Sequence, residues 1–136
     1  MKILLIILLS QNLDNLSDNF YYLYSYYYFE KGEYEKGYKI LVEAYRKTKK
    51  LIFLKKILKF AFKHAWWDTL EKFGKEIELS PLNADLHAYV AYGLLMNEKF
   101  NKAKKIINYY CKANIPEFYY LKGLYYYLKN EEIYLS

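Results

Sequence analysis

Three side chains in this chain of 136 residues are of types that carry out nucleophilic or metal chemistry near neutral pH: Cys111, His64 and His87. Catalysis or metal binding needs such groups beside a carboxylate or a second ligand, at a spacing that a helix or turn can close. The two histidines fall in different segments, and Cys111 stands beside Tyr109 and Tyr110 with no histidine or aspartate at such a spacing. No glycine-rich phosphate loop or paired-acid motif occurs in the sequence. We therefore expect no enzymatic activity, no metal and no cofactor.

A run of positively charged residues is the second candidate functional feature, as a possible binding site for anions. The formal net charge is +6, and Arg46 is the only arginine. Because bidentate recognition of guanine or phosphate favours arginine over lysine, we do not expect specific nucleic-acid recognition to be the main task. Between Glu43 and Asp68 there is no acid, and either a solvated face or a patch for an anionic surface explains such a run. Its candidate anion-binding residues are Arg46, Lys47, Lys49, Lys50, Lys55, Lys56, Lys59 and Lys63.

These residues lie in a chain with a regular internal period. A tyrosine-rich segment recurs, followed by a turn and a more lysine-rich segment, and the turns begin at positions 32, 64, 98 and 130. Intervals of this size are typical of stacked helical hairpins. The chain has 54% hydrophobic residues, including 19 Tyr, but 5 Gly and 2 Pro, too few for a fold made of many tight turns. The sequence therefore predicts an all-α fold.

The helical periodicity predicts one domain, 1–136, of about three and a half hairpin units. The connections are two to five residues long, which makes consecutive helices antiparallel. The predicted hairpins are 19–50, 51–83 and 84–115, and 116–136 holds a final helix to about Lys129 and a short stub. The helices expected within the hairpins cover 19–31, 34–48, 51–64, 67–79, 84–97 and 99–113.

Residues 1–16 admit two interpretations. The apolar run from Ile3 to Leu9 is far too short to span a bilayer. It fits a retained helix over 2–14, which forms an N-terminal half-unit of the stack, or a signal or membrane-tethering segment. We favour the retained helix and a cytoplasmic location; the second interpretation places the protein in the cell envelope or outside the cell.

The pattern within the units resembles the tetratricopeptide-repeat (TPR) family over 19–129. That family has an aromatic residue, then Leu-Gly, then Tyr on the first helix of each hairpin. The matching positions read Tyr21-x-x-Tyr24-Ser25-x-x-Tyr28, Phe53-x-x-Lys56-Ile57-x-x-Phe60, His87-x-x-Val90-Ala91-x-x-Leu94 and Tyr119-x-x-Lys122-Gly123-x-x-Tyr126. We expect Ser25, Ala91 and Gly123 to let the other helix of the hairpin approach the backbone. Ile57 departs from this pattern and predicts an irregular second hairpin.

The resemblance implies that the first helices of successive hairpins line a concave groove that binds other proteins. The residues at that face are mostly apolar, which favours an apolar helix with anchors a turn apart over a peptide carboxylate. The expected groove residues are Tyr22, Tyr26, Phe29, Leu58, Phe62, Tyr89, Tyr92, Met96, Tyr120, Leu124 and Tyr127.

The last predicted helix is apolar on nearly every side from Tyr119 to Leu128, as helices buried on several sides are. Another subunit, the short stub folded back, or further units of a longer array could cover it. We favour self-association or a partner surface, with a second copy covering this helix at Tyr125 and Leu128. The expected function is a non-enzymatic interaction module or adaptor that binds an apolar or helical protein segment, or its own copy. The alternative is a binder of nucleic acid or lipid head groups through the basic run 46–63.

Overall fold

A computed structural model describes residues 18–135 of the chain. In this part there are seven α-helices and no strand: α1 (Asp18–Glu30), α2 (Tyr34–Thr48), α3 (Leu51–Lys63), α4 (Trp67–Gly74), α5 (Ala84–Met96), α6 (Phe100–Lys112) and α7 (Pro116–Leu135). A 3-10 turn, Pro81–Asn83, precedes α5. The described part is all-α, with packing between α1 and α2 and between consecutive helices from α4 to α7, which confirms the predicted fold class. The helix expected over 2–14 and both interpretations of 1–16 fall outside the described residues.

Five helices end in the same left-handed backbone turn. The first or second residue after the helix has a positive φ: 77° at Gly32, 57° at Lys49, 59° at Ala65, 60° at Glu98 and 58° at Asn114. After four of them the next amide donates to the carbonyl five residues back, as Glu33 N does to Tyr28 O at 2.9 Å. This hydrogen bond satisfies one of the last free carbonyls of the helix and reverses the chain within two or three residues.

The described chain divides into two compact units within α3, between Ile57 and Leu58. In the first unit α1 and α2 pack face to face. Ser25 is 1% exposed, as its predicted role at a close approach requires. The ring of Phe29 lies over Gly37, where a Cβ atom would overlap it. Glycine is therefore needed at position 37, and Phe29 belongs to the contact between the helices.

In the second unit the helices α4 to α7 pack in sequence, and α5 also contacts α7. Two glycines set the distance between α4 and α5. A Cβ atom at Gly93 would lie 2.6 Å from Leu70 Cδ1, and one at Gly74 would lie 2.5 Å from Val90 Cγ1. Ala91 is fully buried, as predicted, so α5 is approached closely by its neighbours.

Two helix ends differ from the sequence-based prediction. Helix α4 ends at Gly74 rather than at Leu79, because the amides of Glu76 and Ile77 donate three residues back instead of four. This tighter winding turns Ile77 into the core, where it is 8% exposed. Helix α7 continues to Leu135 rather than ending near Lys129, so the turn predicted at position 130 is wrong. No proline or glycine follows Gly123 to interrupt the helix.

A buried hydrogen-bonded pair joins α5 to α6. His87 is 2% exposed, and its Nδ1 lies 2.5 Å from the Tyr110 hydroxyl. That hydroxyl also donates to the carbonyl of Ser80 at 3.0 Å, in the segment between α4 and α5. Burial lowers the pKa of His87, because a charged imidazolium loses its hydration, although hydrogen bonds to backbone groups of Ile77 and Asn83 oppose the shift. His87 is thus a structural residue of the second unit.

We expect the folded state to lose stability as the pH falls below about 6.5, the usual pKa of histidine. The unfolded chain then binds a proton at His87 while the folded chain, with its lower pKa, does not, so acid favours unfolding. Urea unfolding at several pH values between about 7.5 and 5 measures the slope. The slope should fall in a His87→Gln variant. Equal slopes in His87→Gln and the unaltered chain would contradict the assignment.

Candidate functional site: an aromatic cluster on the second unit

Four aromatic side chains from three helices meet on the second unit and form what we call the aromatic cluster: Phe62, Trp67, Tyr89 and Tyr92. Phe62 contacts Tyr89 and Tyr92 edge to face, with ring centroids 5.3 Å and 5.1 Å apart. Trp67 contacts Tyr92 in the same manner at 5.8 Å. Edge-to-face contacts of this kind hold rings in defined orientations. The cluster is therefore an ordered surface of four rings.

The backbone explains why these rings meet. Tyr89 and Tyr92 are three residues apart on α5 and so share one side of that helix. Phe62 lies in the last turn of α3, and Trp67 is the first residue of α4 after the left-handed turn at Ala65; both rings contact Tyr92. A local turn and a helical period together build the surface.

Trp67 is a member that the sequence analysis missed. Its neighbour Trp66 packs within the turn, with ring centroids 5.3 Å from Phe60 and 5.8 Å from His64. Trp66 precedes the first residue of α4 and Trp67 is that residue, so their side chains point in different directions. These are the only two tryptophans of the chain, and their adjacency was the sequence signal that one of them belongs to the surface.

The aromatic cluster is partly exposed to solvent and partly packed against its own unit. Phe62 is 37% exposed, while Trp67, Tyr89 and Tyr92 are each half-buried. Lys59 and Lys63 are exposed on α3 close to Phe62 in sequence. The rings offer apolar area and hydroxyl groups, and the lysines add positive charge near the rim. This chemistry suits apolar side chains flanked by acidic ones.

The other predicted groove residues are distributed differently from the prediction. Leu58 is fully buried, as its neighbours Leu54, Ile57 and Ala61 are, so it belongs to the core and cannot line an accessible groove. Phe29 is half-buried, and its ring packs on Gly37 inside the first unit, so part of this ring takes part in the contact between α1 and α2.

Tyrosines of the predicted groove remain accessible on both units. On α1, Tyr22 and Tyr26 are 41% and 44% exposed and stack with centroids 6.4 Å apart. On α7, Tyr120 and Tyr127 are 75% and 61% exposed. Of the remaining predicted residues, Met96 and Leu124 are half-buried. Among the predicted groove residues, the ring contacts described above join Phe62, Tyr89 and Tyr92 in one cluster.

Much of the basic run is engaged with its own surroundings. Lys47 pairs with Glu43 at 2.9 Å, and Lys50 pairs with Asp18 at 2.5 Å. Lys56 lies over the ring of Tyr22, 5.0 Å from its centroid. Arg46 and Lys49 each lie 5.5 Å from the ring centroid of Tyr45. Lys55, Lys59 and Lys63 are exposed on α3. The two ion pairs reduce the net positive charge that the run offers to a distant anion, whereas the three cations over tyrosine rings keep their charge.

The histidines and the cysteine have structural surroundings. The ring of His64 packs on Phe60 with centroids 4.3 Å apart, and Cys111 Sγ lies 3.4 Å from the carbonyl of Phe118. Among the side chains that the structure describes, those of residues 18–130, no three of His, Cys, Asp or Glu come together as a metal site would require.

No helix in the described part has both the length and the apolar character needed to cross a membrane. Comparison with protein-family models, with curated proteins and with solved structures gives no match for this chain.

Proposed function

We propose that this protein is a non-enzymatic, TPR-like interaction module whose aromatic cluster binds an apolar helical segment of another protein. The observation that carries the proposal is the meeting of Phe62, Trp67, Tyr89 and Tyr92 from three helices in an ordered, half-open surface. Aromatic side chains dominate the binding energy at protein interfaces, because they bury a large area and have few rotatable bonds to fix.

The partner that fits this surface is an amphipathic helix. Apolar side chains at positions i, i+3 or i+4, and i+7 project from one face of a helix and match a cluster of rings spread over neighbouring helices. Exposed Lys59 and Lys63 favour acidic residues beside those anchors. The proposal therefore has two chemical parts, an apolar contact that supplies affinity and a charge contact that supplies preference.

A display library of helix-forming peptides tests the proposal, and we expect it to enrich leucine and phenylalanine at helical spacing with acidic flanks. Binding of an enriched peptide should change tryptophan fluorescence, and the Trp67→Phe variant should lose that change while Trp66 stays in place. Tyr92→Ala should weaken binding by about tenfold or more. Tyr26→Ala is the matched control on the first unit and should bind normally.

Stability and salt dependence separate this function from its alternatives. Tyr92 is half-buried, so its removal should lower stability far less than the loss of a core ring does. A loss of thermal stability as large as that of a core variant would contradict the surface assignment.

Binding to nucleic acid or anionic vesicles that weakens steeply with salt would instead support the anionic-surface function of the basic run 46–63. Loss of that binding on replacing Lys55, Lys59 and Lys63 by glutamine would confirm the alternative.

A further inference from the structure

Helix α7 has two sides of different character. Its inner side is buried and consists of Phe118, Leu121 and Tyr125, and the ring of Tyr125 contacts that of Phe100 with centroids 6.1 Å apart. Tyr125 therefore belongs to the core of the unit, and the expectation that it contacts a second copy is wrong. The outer side carries four exposed tyrosines, which we call the tyrosine face: Tyr119, Tyr120, Tyr126 and Tyr127.

A glycine stands at the centre of the tyrosine face. A Cβ atom at Gly123 would meet no other atom within 4 Å, and the residue is exposed. The expected role of Gly123 in a close approach within its own hairpin is therefore wrong. Glycine inside a helix is less favourable than alanine, and nothing that this structure packs against position 123 compensates.

The tyrosine face is symmetric about that glycine. Tyr119 and Tyr127 stand four residues to either side of Gly123, and Tyr120 and Tyr126 stand three to either side. When two copies of a helix cross antiparallel at one residue, a position on the N-terminal side meets its mirror position on the other copy. Tyr119 would then interdigitate with Tyr127, and Tyr120 with Tyr126, each contact occurring twice as a two-fold interface requires. The two Gly123 residues would meet at the crossing, where the absence of side chains lets the backbones approach.

The area and charge of the tyrosine face also fit a second copy. At about 200 Å² for a whole aromatic side chain, exposures of 52%, 75%, 52% and 61% amount to about 480 Å² on each copy. Stable interfaces bury about 800 Å² per partner and weak ones somewhat less. The four tyrosines and Gly123 carry no charge, although the chain has a net charge of +6 that would otherwise keep two copies apart.

We propose that the protein forms a two-fold symmetric dimer in which the α7 helices of two copies pack antiparallel across the tyrosine face, with Gly123 at the crossing. One side of the face is ordered in advance, because the Tyr119 hydroxyl lies 3.2 Å from the Cys111 carbonyl and 3.0 Å from Asn114 Oδ1. A ring already fixed in the single copy loses less freedom on association. This dimer does not depend on the aromatic cluster, and either proposal stands if the other fails.

Sedimentation equilibrium of the full chain is the first test. We expect reversible association at tens of micromolar, the range of small interfaces, to twice the chain mass of 16.6 kDa. Tyr120→Lys together with Tyr126→Lys should give a monomer with unchanged circular dichroism and nearly unchanged melting. Tyr22→Lys together with Tyr26→Lys is the control, because these two tyrosines are also exposed but lie on α1. The control should still dimerise.

Cysteine cross-linking tests the antiparallel register in a background in which Cys111 is replaced by serine. Gly123→Cys should form a disulfide between copies, because the two positions meet at the crossing. Tyr127→Cys should not, because its two copies lie about 12 Å apart along the helices, at 1.5 Å per residue, and a disulfide needs Cβ atoms about 4 Å apart. A mixture of Tyr119→Cys and Tyr127→Cys chains should cross-link to each other.

Three results would overturn the proposal. One is a monomer at all concentrations up to about 200 µM, a range that covers even weak interfaces of this size. A chain that dimerises only after removal of residues 1–17 would show that this segment, and not a second copy, covers the tyrosine face. Cross-linking of Tyr127→Cys with itself as readily as Gly123→Cys would exclude the antiparallel register.

Discussion

Tyr110→Ala should lower the free energy of unfolding by about 3–5 kcal/mol, as the loss of a fully buried aromatic ring does. Tyr110 has no exposed surface, and its ring stacks on Phe118 with centroids 4.4 Å apart. Its removal leaves a cavity between α6 and α7 and deprives the Ser80 carbonyl of a donor 3.0 Å away. Urea unfolding followed by circular dichroism gives the free energy.

Two variants separate the parts of this effect. Tyr110→Phe keeps the ring and loses the hydroxyl, so it should cost about 1–3 kcal/mol, the penalty for unpaired buried polar groups. Tyr120→Ala, measured on dilute protein, removes a ring that is 75% exposed and should change stability by less than about 0.5 kcal/mol. If Tyr110→Ala cost no more than Tyr120→Ala, the packing of α6 against α7 described here would be incorrect.

Gly93→Ala should destabilise the protein by about 1–3 kcal/mol, whereas the same change at Gly123 should stabilise it by about 0.5–1 kcal/mol. A new Cβ at position 93 would lie 2.6 Å from Leu70 Cδ1 and 3.0 Å from Leu70 Cβ, and Leu70 is fully buried, so α4 and α5 must separate. At position 123 the new methyl group meets nothing, and only the gain in helix propensity remains. Thermal unfolding of the two variants in dilute solution compares them directly.

The informative result is that the stability changes of Gly93→Ala and Gly123→Ala should have opposite signs. Both glycines lie inside helices, so propensity alone would make both changes stabilising. A gain at both positions would mean that α4 can move away from α5 without cost. A gain at Gly123 together with weaker dimerisation would show a residue that serves association at the expense of the single chain.

The sequence predicted the helices well where turns interrupt them. Gly32, the His64–Trp66 turn and the Glu98 turn all lie where the 32–34-residue period placed them, and the ends of α2 agree to the residue. The end of α4 was predicted five residues late, because Ile77 and Leu79 continue an apolar pattern that does not distinguish an α-helix from a tighter turn. The contact of Gly74 with Val90, which brings α4 against α5 at that point, is between residues 16 apart and leaves no local signal.

The candidate site was predicted less completely, for a related reason. Helical period put Phe62, Tyr89 and Tyr92, whose rings contact one another, in the predicted groove. It also put the buried Leu58 there, since the period gives the side of a helix and not what covers it. Trp67 was missed because it joins the cluster through a turn rather than through a helix. The inner and outer sides of α7 could not be told apart in a segment where both are rich in tyrosine.

The repeated left-handed turns imply that this chain tolerates changes of residue and not changes of length. Glycine, lysine, alanine, glutamate and asparagine all adopt the same backbone conformation at Gly32, Lys49, Ala65, Glu98 and Asn114. Mutation can therefore rewrite these positions while the hairpins keep their form. Adding one residue inside a helix would instead rotate every later side chain by about 100°, since a turn takes 3.6 residues. Homologous sequences would therefore differ in residue identity at these turns while the lengths of the helices and turns stay the same.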